Sequence, residues 1–292
     1  MLDRRSTEAE LLDDPNLDGR IALESYRFMA IVNRHAGGTR VVRRFVEREA
    51  LTRGDGRLHV LDIGSGVCDI PIAVAKWARG RGLQVRFTCI EPSVHAARYA
   101  RERIAGAGIS GVRLLQEGIF EHRPDEPYDC AAASMCLHHF DDEAILAMFR
   151  KIRPFVRASA LINDLRRTPA AWLATNMATL CVPRAVRHDA MLSVRRGFRI
   201  GELKRLLGRL EDCAVPVEPA RFFRIAAVVR FAETTRLSAP SEHGGRSLLP
   251  VLVRRRNQTV HPGSESSRAP DSPVRSKRAT APHAGLFVLL CS

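Results

Sequence analysis

"HVLDIGSGVCDI", residues 59–70, decides the fold. It opens as a buried strand, breaks into a turn with glycines at 64 and 66, and restarts as a helix that Asp69 can cap, with Pro71 in its first turn. A strand, a glycine turn and a helix in that order form the corner at which parallel α/β sheets cradle nucleotides. Asp62 precedes the first glycine, and Cys68 stands near where a dinucleotide turn needs its third.

Outward from this corner, residues 58–231 alternate short apolar runs with amphipathic helices, the rhythm of a parallel sheet covered on both faces. Strands are expected at 58–63, 84–90, 112–116, 128–134 and 159–164, with two more near 213–218 and 222–230. Asp141 or Asp142 caps a helix whose Ile145, Met148, Phe149 and Ile152 fall on one face. Leu203, Leu206, Leu207 and Leu210 repeat that stripe. Two segments interrupt the rhythm: a helical stretch over 20–50, and residues 166–198, which hold a helix started by Thr168 and Pro169. Insertions at the carboxyl edge of a sheet are natural lids. The expected organisation is an N-terminal helical lid segment (1–50), a ligand-binding α/β domain (51–231) with a substrate cap at 166–198, and a basic, disordered tail (232–292). That tail holds six of the 16 prolines and no sustained period.

The formal charge of +14 invites a nucleic-acid reading, but only four of the 46 basic residues are lysines, a bias that codon usage explains as well. Aromatic residues are 6% of the chain, so stacking platforms for bases are scarce. Neither an apolar run of about 20 residues nor a signal core is present, so a cytoplasmic protein without a membrane span is expected. The seven cysteines include no CxxC pair, and no metal site is expected.

The chemistry of the turn narrows the ligand. Neither Cys68 nor Asp69 is the third glycine of a pyrophosphate-binding turn, and an acid at a helix start repels phosphate. This disfavours an NAD-dependent oxidoreductase. S-adenosyl-L-methionine carries no phosphate and has a cationic end, which suits Asp62. Gly64 and Gly66, with Ser65 between them, allow close approach. Glu91, followed by Pro92, ends the second strand 25 residues after Gly66, where a carboxylate accepts from both ribose hydroxyls. Glu117 or the backbone near Gly118 is placed to receive the adenine amino group, and Ser134 meets the methionyl part.

In "LDIGSG", "IEPS", "QEGIF" and "YDCAAASMCLHHFDDEAILAMFRKIRPFVR" the chain resembles the class I S-adenosylmethionine-dependent methyltransferases, over about residues 20–231. "LHHF" is similar to the small-molecule branch that includes ubiquinone and menaquinone methyltransferases, and "NDLRRTP" and "RHDAMLSVRRGF" resemble a bacterial secondary-metabolism subgroup. The resemblance implies a Rossmann-like, doubly wound seven-stranded sheet of order 3-2-1-4-5-7-6. Cys68 replaces the family's third glycine or alanine and is expected to crowd the methionine end; Glu117 replaces a commoner aspartate.

The implied acceptor is a small molecule, not a specific nucleic acid. An RNA methyltransferase or basic RNA-binding protein is the alternative, but Ser134-Met135-Cys136-Leu137 lacks the D/N-P-P-Y pattern that grips a base amino group. Candidate catalytic residues are His138 and His139 after the fourth strand, Asp164 at the end of the fifth, and His188 in the insertion. Asp164 either orients a base such as His188 or forms a salt bridge to Arg166, Arg195 or Arg196. Phe28, Met29, Ile31, Val32, Trp172, Leu173, Met177, Leu180 and Met191 are expected to line an apolar acceptor pocket, with Asn176 and His188 as polar exceptions. Such a pocket suits a phenol, quinol or polyketide-like acceptor and favours O-methylation over C-methylation.

Overall fold

The computed structural model describes residues 2–211 and 213–232. The expected tail therefore lies, from residue 233 onward, outside the described residues. Strands β1 (Arg57–Ile63), β2 (Gln84–Ile90), β3 (Val112–Leu115), β4 (Tyr128–Ser134) and β5 (Val156–Leu165) are parallel. Strand β8 (Arg224–Phe231) runs antiparallel to β5. Two short strands, β6 (Cys213–Ala214) and β7 (Val217–Ala220), pair with β8, which gives the order β3-β2-β1-β4-β5-β8-β6 with β7 beside β8.

The two short strands hold one register. Cys213 faces Phe231 and Ala220 faces Arg224, so each step along one strand is matched by one step back along β8. They are one sixth strand interrupted at Val215 and Pro216, where proline has no N–H to give the ladder. With the interruption counted as part of a single strand, the order expected from sequence, 3-2-1-4-5-7-6, is present. The fifth strand begins three residues earlier than expected. Arg157 and Ala158 are exposed, so no apolar run marks that end.

Helix α3 (Asp69–Arg79), helix α2 (Gly38–Arg53) and part of α4 (Val94–Ala107) cover one sheet face. Val42, Phe45 and Val46 of α2 pack there with Leu58, Val60 and Phe87. On the other face α5 (Asp142–Ile152) and α8 (Ile200–Leu207) bury Ile145, Met148, Phe149, Ile152, Leu203, Leu206 and Leu207 against β4 and β5. Asp141 caps α5 by accepting the Ala144 N–H at 2.7 Å.

The helical stretch over 20–50 is two helices, broken at Gly37 in the left-handed region (φ 83°). The first, α1 (Gly19–His35), is capped by Asp18 and rests on α4: Tyr26 and Tyr99 rings lie 6.4 Å apart, and Tyr99 donates to Gly19 O. The second belongs to the layer on the sheet. Residues 166–198 hold α6 (Pro169–Ala178), capped by Thr168 as expected, and α7 (Arg184–Arg196). Among the described residues no helix is long and apolar enough to cross a membrane.

Candidate active site

The turn after β1 is held from below. Gly64 and Ser65 N–H both donate to Ile90 O, and Ser65 Oγ donates to Asp62 O at 2.9 Å. The two glycines serve different ends. A Cβ on Gly64 would stand 2.7 Å from Cys136 Cβ, whereas one on Gly66 meets nothing within 4 Å, so Gly66 borders open space. Both have positive φ, 65° and 53°.

Cys68 also takes the left-handed conformation (φ 55°), which is strained for a residue with a Cβ. It is completely buried and packs with the core beneath the turn, among Ile70, Val74 and Cys89. The crowding expected at the ligand side is therefore not what the structure shows; the side chain is directed into the core. Cys68 itself, not Asp69, occupies the N-cap of α3.

Asp62 is buried, and its Oδ1 has no hydrogen-bond partner. Burial, reinforced by the nearby charges of Asp69 and Glu91, raises its pKa to about 7, against the opposing effect of Ser65. A buried carboxylate with an unused oxygen beside an open glycine turn is a site made for a cationic group. Glu91 accepts from Gly66 N–H at 2.8 Å through one oxygen and from Ser93 N–H at 2.9 Å through the other. Each oxygen keeps a further lone pair, so the ribose contact expected from sequence is compatible with this bonding. Burial raises the pKa of Glu91 as well. These groups fit S-adenosylmethionine.

The remaining cofactor candidates fit unequally. Pro92 is exposed beside Glu91. Glu117 is turned to His122, with Oε1 2.7 Å from Nδ1, which engages one oxygen of the carboxylate; Gly118 follows it. Ser134 Oγ accepts from Asn163 Nδ2 at 3.0 Å.

The catalytic candidates separate into two places. Asp164 meets His138: Oδ1 is 2.7 Å from Nδ1, and Oδ2 accepts the His138 N–H. Both residues are buried. Against its burial, Asp164 keeps a pKa below the usual carboxylate range because His138 and the Leu165 N–H favour its ionised form. None of the arginines considered from sequence takes this carboxylate. His188 is elsewhere: its side chain is exposed, and Nδ1 lies 3.0 Å from Asp189 Oδ1. Asp189 in turn accepts the N–H groups of Leu11 and Leu12, so His188 belongs to a clasp on the N-terminal segment. The structure brings Asp164 to His138, not to His188.

That N-terminal segment supplies two residues that sequence reasoning missed. Glu10 is buried, with Oε1 3.6 Å from His138 Nε2 and Oε2 3.9 Å from His139 Nε2. Asp13 Oδ1 lies 2.8 Å from His139 Nδ1. Burial raises the Glu10 pKa to about 7, while Asp13, despite its own burial, is held down to about 2 by His139 and Arg196. Arg196 fastens the arrangement by donating to His138 O, His139 O and Glu8 O. Nothing in a mixed-charge leader separates Glu10 from any other surface acid.

Glu10 and His138 open onto a cavity of about 180 Å³ at the carboxyl ends of β4 and β5. Phe28, Met29, Ile31 and Val32 of α1 line it as expected. From α6 the lining is Ala171, Ala174, Thr175 and Ala178. Leu173, Met177 and Leu180, expected inside, point outward and are exposed, and Trp172, Asn176, His188 and Met191 are absent from the wall. The helix turns its small residues inward, which leaves room for a ligand.

Against families of known proteins, residues 60–159 match the methyltransferase domain. No curated protein sequence matches the chain. Among solved structures, the plantazolicin methyltransferase BpumL in complex with SAH is similar, with a TM-score of 0.57 at 15% identity over 76% of this chain and 93% of that one. The same enzyme with a triazolic desmethylPZN analogue and SAH gives 0.54 at 15% identity over 73% and 99%. Magnesium protoporphyrin IX methyltransferase (ChlM) from Synechocystis PCC 6803 gives 0.47 at 14% identity over 67% and 84%. The likeness to BpumL is one of fold. The matched residues include β1 and the glycine turn that follows it.

Proposed function

We propose that this chain is an S-adenosylmethionine-dependent methyltransferase acting on a small, largely apolar acceptor such as a phenol, quinol or polyketide-like molecule, with methyl transfer to oxygen favoured over carbon. The observation that carries the reading is the mostly apolar cavity at the carboxyl ends of β4 and β5, with β4 paired to β1 (Ile63 beside Ala133) and with His138 and Glu10 among the buried polar groups of its wall. The crystal complexes of BpumL with SAH support the choice of cofactor.

S-adenosylmethionine, when bound, supplies a methyl group already activated on a sulfonium. The chain's own work is alignment, which contributes several kcal/mol of the barrier. Asp62 offers its unused oxygen to the cationic end, with Gly64, Ser65 and Gly66 forming the floor and Ser134 standing next to it. Glu91 and Pro92 border the ribose, and the Gly118 backbone borders the adenine. Phe28, Met29 and the alanines of α6 enclose the acceptor and exclude water. Asp164 is a positioning residue: it holds the Nδ1 hydrogen of His138, so that the Nε2 lone pair faces Glu10 and the cavity. His138 Nε2 accepts the proton of the acceptor hydroxyl, a contribution of roughly 10²–10⁴-fold.

Incubating the protein with methyl-labelled S-adenosylmethionine and a panel of phenols and quinols tests this reading. Label is expected on the oxygen of an apolar acceptor. Label appearing only on RNA or polar metabolites, or on none of the phenols and quinols, contradicts it.

A further inference from the structure

The corner of the cavity holds more than a base. One side-chain donor atom from each of Glu10, His138 and His139 lies within 4.8 Å of the other two. The Glu10 carboxylate bridges the pair, 3.6 Å from His138 Nε2 and 3.9 Å from His139 Nε2. The two imidazoles lie side by side, with ring centroids 4.3 Å apart.

The other ring nitrogens carry the second observation. His138 Nδ1 is 2.7 Å from Asp164 Oδ1, and His139 Nδ1 is 2.8 Å from Asp13 Oδ1. A carboxylate at Nδ1 places the ring hydrogen there and leaves the Nε2 lone pair free. In His138 that atom lies 3.6 Å from Glu10 Oε1, whereas His139 Nδ1, though close to Asp13, makes no hydrogen bond to it. Carboxylate–histidine pairs of this kind orient imidazoles toward metal ions and raise their basicity. His138 is backed in this way by Asp164, and both histidines converge with the Glu10 carboxylate on one point.

The charge balance agrees. Glu10 is 5% exposed, and its carboxylate has Ser193 Oγ at 2.7 Å and the two imidazoles as its near partners. A carboxylate this deep is costly unless its charge is met. Arg196 is engaged with backbone carbonyls and Asp13.

We propose that Glu10, His138 and His139 form a binding site for one divalent transition-metal ion, zinc(II) or a close neighbour in the series. Two imidazoles and a carboxylate suit such ions and leave coordination positions open. The open positions face the cavity that Glu10 and His138 line, where a hydroxyl or water oxygen can complete the shell. An ion and a proton compete for His138 Nε2, so in the loaded protein activation of a hydroxyl passes from the base to the ion. The site does not rest on the methyl-transfer reading, because binding is measured without cofactor or acceptor.

The test uses full-length protein stripped with chelator and titrated with zinc chloride by calorimetry. One ion per chain is expected, and Glu10→Gln and His139→Ala are each expected to weaken binding at least about tenfold. His35→Ala, at the C-terminal end of α1 and outside the ligand set, is expected to leave it unchanged. A second measurement on the unaltered protein needs no variant to fold. Cobalt(II), added to one equivalent, is expected to shift the imidazole proton resonances of His138 and His139. Absence of a stoichiometric ion in the unaltered protein, unchanged affinity in both ligand variants, or cobalt shifts confined to other histidines overturns the proposal.

Discussion

His138 and Asp164, 26 residues apart in the chain, meet through a buried 2.7 Å contact at the wall of the cavity. The contact ties the segment after β4 to the end of β5, the two strands whose carboxyl ends border the cavity.

Removing the orienting charge tests the pair. Asp164→Asn is expected to lower kcat on a good phenolic acceptor by roughly 10²-fold or more, leaving the affinity for S-adenosylhomocysteine within about twofold. His188→Ala, altering an exposed side chain of the N-terminal clasp, is expected to leave kcat unchanged. Steady-state kinetics and calorimetry on the two variants distinguish the residues; equal losses contradict the assignment.

The cavity wall gives a steric prediction. Ala174→Phe places a ring in the space that α6 leaves open, so KM for the acceptor is expected to rise at least about tenfold, with S-adenosylhomocysteine binding retained. Leu173→Ala changes a side chain that is exposed and is expected to alter neither quantity. An effect of Leu173→Ala comparable to that of Ala174→Phe would place the acceptor elsewhere.

Asp62 makes cofactor affinity depend on pH. Its pKa in the free protein is about 7, raised mainly by burial and also by the charges of Asp69 and Glu91. A bound cation favours the ionised form, so the proton must leave on binding below that value. Affinity for S-adenosylmethionine is expected to climb with pH up to about 7, by at most about tenfold per unit, and to level off above it. The same raised pKa has a cost for the free protein: the stability associated with the protonated carboxyl is present below the ordinary carboxylate range and is lost as pH rises through about 7. Asp62→Asn is expected to flatten the pH dependence of binding, as read by calorimetry at several pH values. A dependence that persists in this variant removes Asp62 from the explanation.

Arg196 is the fastening of the site. It is buried and donates to three backbone carbonyls as well as facing Asp13. Arg196→Met strands those acceptors, at about 1–3 kcal/mol for an unsatisfied buried group. Denaturant unfolding is expected to show a loss of at least that order. A loss below about 0.5 kcal/mol would mean that the N-terminal segment is not held through this side chain.

What the sequence disclosed follows from which forces are local. The expected ranges of β2 and β4 match the structure, as does the Thr168 cap of α6. The expected fifth strand fell three residues short of the real one because Arg157 and Ala158 face solvent. The interruption at Pro216 is legible only once the partner register on β8 is known. At the site, Asp62 and Glu91 stand at strand ends, where topology alone locates them. Glu10 and Asp13 reach the histidines only because Asp189, Arg195 and Arg196 of α7 bind the N-terminal backbone, contacts more than 170 residues apart. The inward face of α6 was misjudged for a related reason: Leu173 and Met177 carry the apolar signal, but the alanines carry the cavity.

The most direct measurement is a calorimetric titration of the protein with S-adenosylhomocysteine, and separately with NADH. The account predicts saturable one-to-one binding of S-adenosylhomocysteine and no heat of binding with NADH. Saturable NADH binding without S-adenosylhomocysteine binding would contradict it.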